Sequence, residues 1–185
     1  KALVYLKKFK QVCHVLYSLI HSTGVYGVAS EQMKQLRLLA VGIAYQAKDY
    51  LLAYDNIRFV ILDRPYNIPL WNLFNKIVSL ARNYASAHKF MVRLLKKYSD
   101  CVPLMILVAH NCAMNGTYKL ALGEYFRAYK VMPEEPLISL CIGINYMNLV
   151  MNRRTANRHI HVIQAFTFLY HYYHLMSENM EATYN

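Results

Sequence analysis

Eight histidines, four cysteines and ten acidic residues are the side chains of this chain that could hold a metal or move a proton. Two histidine pairs stand close together, His159-x-His161 and His171-x-x-His174. Zinc sites built on such pairs usually recruit cysteines at short spacing. Cys13, Cys101, Cys112 and Cys141 form no CxxC pair and join neither histidine pair. The acids, Asp49, Asp55, Asp63, Asp100, Glu124, Glu134 and Glu135 among them, are scattered, mostly at turns or helix ends. No nucleophile motif and no glycine-rich phosphate loop is present. No enzyme activity, cofactor or metal is expected. What remains is fixed positive charge. The stretch "MNRRTANRHIHVIQAFTFL", residues 151–169, carries Arg153, Arg154, Asn157, Arg158 and His159. Lys89, Arg93, Lys96 and Lys97 fall at i, i+4, i+7 and i+8, so a helix places them on one face. Lys7, Lys8 and Lys10 are a weaker version of that pattern.

The whole composition leans the same way. Twenty-one Lys and Arg against ten Asp and Glu leave a formal charge of +11, which favours an anionic partner such as nucleic acid, an acidic protein surface or a membrane face. The longest apolar runs, such as "LMILVA", are far short of the roughly 20 residues that span a bilayer, and no secretory signal pattern opens the chain. Unpaired cysteines fit reduced thiols in the cytosol or nucleus. With Lys1 first and a plain "MEATYN" last, a piece of something longer is expected.

Positive residues need elements to aim them, and the elements repeat. Ala53, Ala87 and Ala121 are 34 residues apart, and so are Trp71, Met105 and Ser139. Pro65 and Pro133 each stand twelve residues after an alanine of that series, with Ser99 at the place between. A 34-residue period is the tetratricopeptide length. The best fit is "VPLMILVAHNCAMNGTYKLALGEYFRAYKVMPEE": Val108-Ala109 in a first helix, Gly116 in the turn, then Tyr118, Ala121, Tyr125 and Ala128. Pro133 ends the second helix, having no N–H to continue it. The preceding unit has Trp71, Tyr84 and Ala87; the one before it has Gly42, Tyr45, Tyr50, Ala53 and Pro65. The spacing predicts an all-α tetratricopeptide-repeat α-solenoid, a right-handed superhelix of stacked helix pairs. Its parts are a helix of a preceding partial repeat over 1–22, repeats over 31–66, 67–100, 101–135 and 136–175, and a tail over 176–185. "STGVYGVASEQ" reads as a loop, with Ser30 a candidate cap for the next helix.

The fourth repeat is irregular. Nine residues separate Cys112 from Ala121, whereas nineteen separate Tyr146 from Ala165. Ten residues are inserted between its helices, a basic insertion over 150–159. The segment "MNRRTANRHIHVIQAFTFLYHYY" resembles a signature of the tetratricopeptide-repeat subunit of TFIIIC, the RNA polymerase III transcription factor, near the end of its C-terminal repeat array. The matching positions are Met151, Arg153, Asn157, Arg158, His159, Gln164, Phe168 and Leu169. Asn152 replaces a usual glutamine and Ala165 a common glycine. The resemblance implies a non-catalytic scaffold in the nucleus. Its implied partners are other subunits of that multi-subunit complex and TFIIIB components, with DNA near enough for phosphate contacts and no membrane. Apart from the resemblance, Asn157 is placed to cap the following helix. Arg158 and His159 then fall in its first turn, where the helix dipole disfavours cations.

First helices of such repeats line a groove, here with Asn72, Lys76, Ile106, His110 and Met114, then Leu140, Ile144 and Met147. Asn72 and Lys76 have the reverse order of a chaperone-binding clamp, which argues against that role. The apolar lining of the fourth repeat needs a cover, from the insertion or from a partner segment. A peptide-binding adaptor unrelated to transcription is the alternative. An RNA-binding array fits the charge but lacks one base-reading position per repeat.

Overall fold

The structure is a computed structural model and describes residues 8–26, 30–152 and 155–176. All regular structure among them is helical: α1 (Phe9–Tyr26), α2 (Ser30–Gln46), α3 (Tyr50–Asp63), α4 (Ile68–Ala81), α5 (Tyr84–Lys97), α6 (Val102–Met114), α7 (Tyr118–Val131), α8 (Pro136–Met151) and α9 (Arg158–Leu175). None of these helices is long and apolar enough to cross a membrane. The chain divides into two compact units, 1–87 and 88–185. In the first, α1 packs on α2, α2 on α3 and α3 on α4; in the second, α6, α7, α8 and α9 pack each on the next.

The small residues of the repeat explain this packing. Ala53, Ala87 and Ala121 have no exposed surface, and neither has Ala165. A methyl side chain at these places allows helix axes to approach closely. Trp71 and Met105 are 1% exposed and Ser139 is wholly buried. The Trp71 indole N–H donates to the Pro65 carbonyl at 2.6 Å, so the large ring brings its polar atom to a partner. Helix starts are capped where the sequence supplies an acceptor. Asp49 accepts from the Leu52 N–H at 3.2 Å and Asn67 from the Leu70 N–H at 3.0 Å.

The turns inside the first three pairs share one conformation. Lys48, Arg82 and Gly116 have φ of 61°, 53° and 71°, and they stand 34 residues apart. Only Gly116 adopts this left-handed backbone without a steric cost; Lys48 and Arg82 each carry about 1 kcal/mol or more of strain for it. The repeat imposes the conformation on whatever residue the period delivers.

Two expectations are corrected. The stretch read as a loop after residue 21 is helical as far as Tyr26, since a single glycine such as Gly24 weakens a helix by about 1 kcal/mol and does not break it. The other is the long turn of the fourth repeat. Relative to the third, three of its ten additional residues lengthen α8, three lengthen the connection and four lengthen the start of α9. Between Gly143 and Asn157 there is neither glycine nor proline to stop the helix. The insertion over 150–159 is therefore mostly helix, around a connection of six residues, 152–157.

Candidate interaction surfaces of the fourth repeat

The lengthened hairpin is held by close helix contact. A Cβ built on Gly143 would lie 2.7 Å from Leu169 Cγ, so α8 and α9 touch backbone to side chain here. Around this crossing Phe126, Tyr129, Tyr146 and Phe168 form an aromatic cluster, with Phe168 in edge contact with both Phe126 and Tyr129 at 5.5 Å. Ser139 and His171 Nδ1 share a hydrogen bond at 3.0 Å. Asn145 is 2% exposed; its amide donates to the Tyr118 carbonyl at 2.8 Å and ties α8 to the start of α7.

Above this core the insertion borders an open cleft of about 510 Å³, lined by Lys119, Leu122, Tyr146, Leu149, Thr155, Ala156, Asn157 and His161. The His161 ring stacks on Tyr146, centroids 5.4 Å apart and planes 24° from parallel, while its Nδ1 meets Gln164 Oε1 at 2.9 Å. Asn157 occupies the N-cap position of α9, but its side chain makes no capping bond, which corrects the expectation that it would accept an N–H there. Arg158 and His159 are exposed in the first turn. Arg158 has no acidic partner among the described residues. Arg153 and Arg154 lie outside the described residues.

Elsewhere, Lys89, Arg93, Lys96 and Lys97 are all exposed on α5. Asn72 and Lys76 are exposed on α4, where the Lys76 ammonium lies 5.8 Å from the Tyr45 ring centre. Ile106, His110, Leu140 and Met147 are half-buried, while Ile144 and Met114 are exposed. Lys8 and Lys10 are exposed and Lys7 lies outside the described residues.

One polar cluster near these groove positions escaped the sequence reading. His110 Nδ1 and the Tyr125 hydroxyl share a short hydrogen bond, and the same hydroxyl bonds the Cys141 thiol. Burial pushes the Cys141 thiol up to about 11, holds the His110 imidazole below its ordinary range and raises the Tyr125 phenol. A thiol held protonated beside a neutral imidazole is the wrong pair of states for a Cys–His nucleophile, which works as thiolate and imidazolium. The three groups satisfy one another as neutral donors and acceptors. Residues 44 positions apart in contact through a side-chain hydroxyl leave no spacing motif, so only the fold could reveal them. Among the described residues, no three His, Cys, Asp or Glu side chains are placed to hold a metal ion.

No protein-family model matches the chain. It is 31% identical over 155 residues to General transcription factor 3C polypeptide 3 of Homo sapiens, a match covering 84% of this chain and 17% of that protein. With Transcription factor tau subunit sfc4 of Schizosaccharomyces pombe it shares 28% identity over 190 residues, 82% of this chain and 19% of the relative. The chain thus spans less than a fifth of the length of these curated relatives. Among solved structures, YrrB, described as a TPR protein with an unusual peptide-binding site, superposes with a TM-score of 0.61 at 11% identity, over 99% of this chain and 86% of its own. MamA also gives 0.61, at 8% identity, over 96% of this chain and 94% of its own. These two share the fold and no more. The sequence relatives carry the family: over the region it shares with them, this all-α, tetratricopeptide-repeat chain belongs to the tetratricopeptide-repeat subunits of TFIIIC.

Proposed function

We propose that this chain is part of a non-catalytic scaffold subunit of TFIIIC. It works in the nucleus in RNA polymerase III initiation, binding other subunits of that factor and components of TFIIIB, with promoter DNA nearby. The observation that carries this reading is the fourth repeat. The segment whose spelling resembles the TFIIIC subunit is also the one that departs from a regular array, by a lengthened hairpin with a basic tip. Arg158 supports a contact role: it stands in a first turn, where the dipole disfavours a cation, with no acid of its own chain to offset it. Lys89, Arg93, Lys96 and Lys97, exposed together on α5, support phosphate tracking along DNA.

The test is binding to duplex DNA across a salt series, comparing the chain with a variant in which Arg153, Arg154 and Arg158 are alanine. Direct phosphate contact predicts binding whose log–log salt slope becomes shallower by about 2–3 units in the variant. An unchanged slope refutes DNA contact by the insertion. If neither protein binds at physiological salt, the arginines serve an acidic protein surface. If the variant then also retains every contact with the other TFIIIC and TFIIIB subunits, the insertion is merely solvated, as a generic peptide-binding adaptor would have it.

A further inference from the structure

The outer face of α9 is apolar where a solvated helix would be polar. Ile160, Ile163, Phe166, Tyr170 and Tyr173 are 42%, 65%, 63%, 63% and 40% exposed. The last four recur at i, i+3, i+7 and i+10, one continuous stripe along a helix. Register with the third repeat says what such a stripe is built for. Ala165 is the counterpart of Ala121, 44 residues on, which makes Phe166, Tyr170 and Tyr173 the counterparts of Leu122, Phe126 and Tyr129. On α7 those positions carry the next helix pair: Phe126 meets Tyr146 and Phe168, and Tyr129 meets Phe168 and His171. The same register on α9 carries nothing among the described residues. This face has the pattern of one that seats a helix.

Charge says which helix. Between Glu135 and Glu178 there is no acidic residue, while three arginines and four histidines lie there. A second copy would set one acid-free helix against another. We infer that the Ile163–Phe166–Tyr170–Tyr173 stripe docks an amphipathic helix with acidic flanks from a partner protein, seated as the first helix of a further repeat would be. This deepens the scaffold reading and rests on it only in requiring a protein partner. It concerns the outer face of α9, not the insertion, so a failed DNA experiment leaves it standing.

The probe is a fluorescein-labelled three-heptad helical peptide with leucine along its seam and glutamate on both flanks. Its comparator has lysine on the flanks. Fluorescence anisotropy measures binding to the chain and to its Phe166→Ser, Tyr170→Ser double variant. Both substituted side chains are exposed, and circular dichroism checks that helix content is kept. The expected result is that the glutamate peptide binds, and binds about tenfold or more weakly to the double variant, since two central aromatic anchors are gone. The lysine peptide is expected to bind about tenfold more weakly than the glutamate one. No binding, equal binding of the two peptides, or binding that ignores the double variant overturns the inference. So does dimerisation of the chain that the double variant abolishes, because the occupant is then a second copy. Any of these outcomes leaves the DNA and subunit experiments with the insertion variant to decide the scaffold reading separately.

Discussion

Substituting Gly143 by alanine tests whether α8 and α9 touch as closely as described. The new methyl group would meet Leu169 Cγ at 2.7 Å, Cδ2 at 2.8 Å and the Ala165 carbonyl oxygen at 3.3 Å. The Leu169 branch point has to move, and Ala165, wholly buried, limits how far α9 can retreat. Overpacking of this kind costs about 1–3 kcal/mol. Against it stands the better helix propensity of alanine, worth about 1 kcal/mol in a helix interior. The net expectation is a loss of about 1 kcal/mol. Gly42 supplies the control, because nothing lies within 4 Å of a Cβ built there; Gly42→Ala should gain about 1 kcal/mol from propensity alone. Urea unfolding followed by far-ultraviolet circular dichroism should separate the two variants by about 2 kcal/mol. A double-mutant cycle sharpens the test: with Leu169 already alanine, the penalty at Gly143 should vanish. If Gly143→Ala stabilises as much as Gly42→Ala, or its penalty survives in the Leu169→Ala background, the close crossing is wrong.

His110 makes the second unit sensitive to acid. Burial holds its folded-state pKa below the ordinary 6.5, so as pH falls through about 6.5 the unfolded chain takes up the proton first. The stability this neutral imidazole contributes is fully present above that pH and is lost progressively below it. His110→Gln, which keeps a partner for Tyr125 but does not titrate, should flatten the fall of the urea midpoint between about pH 7 and pH 5. An unchanged slope would place the acid sensitivity elsewhere. At the turn of the second repeat, Arg82→Gly should raise stability by about 0.5–1 kcal/mol, since glycine holds φ of 53° without the clash of a Cβ. A lower melting temperature for that variant would mean that the Arg82 side chain, and not its backbone, matters there.

The period made the architecture legible. Ala53, Ala87 and Ala121 announce helix crossings because close approach tolerates only small residues, and all three are wholly buried. The ten-residue insertion could be counted from Tyr146 to Ala165 but not apportioned, because runs such as Leu149–Met151 and Ile160–Val162 suit a helix or a turn covered by one. Ser22 to Tyr26 deceived for the converse reason: glycine and serine mark loops only on average. α9 was the least legible element. It is apolar nearly all the way round, so periodicity could not tell the side that meets Phe126 and Tyr129 from the side left open. The contact of His110, Tyr125 and Cys141 is set by how three helices cross, which a linear spacing does not encode.

The lengthened hairpin keeps its additions at its tip. The extra residues come after Tyr146 and before Ala165, beyond the last contacts that hold the repeat to its neighbour. At 1.5 Å per helical residue, they extend α8 by about 4.5 Å and α9 by about 6 Å. Length at that end is therefore uncoupled from stacking. Related chains can vary the reach of the tip and the chemistry it presents, one turn at a time, while the side chains beneath it keep their places.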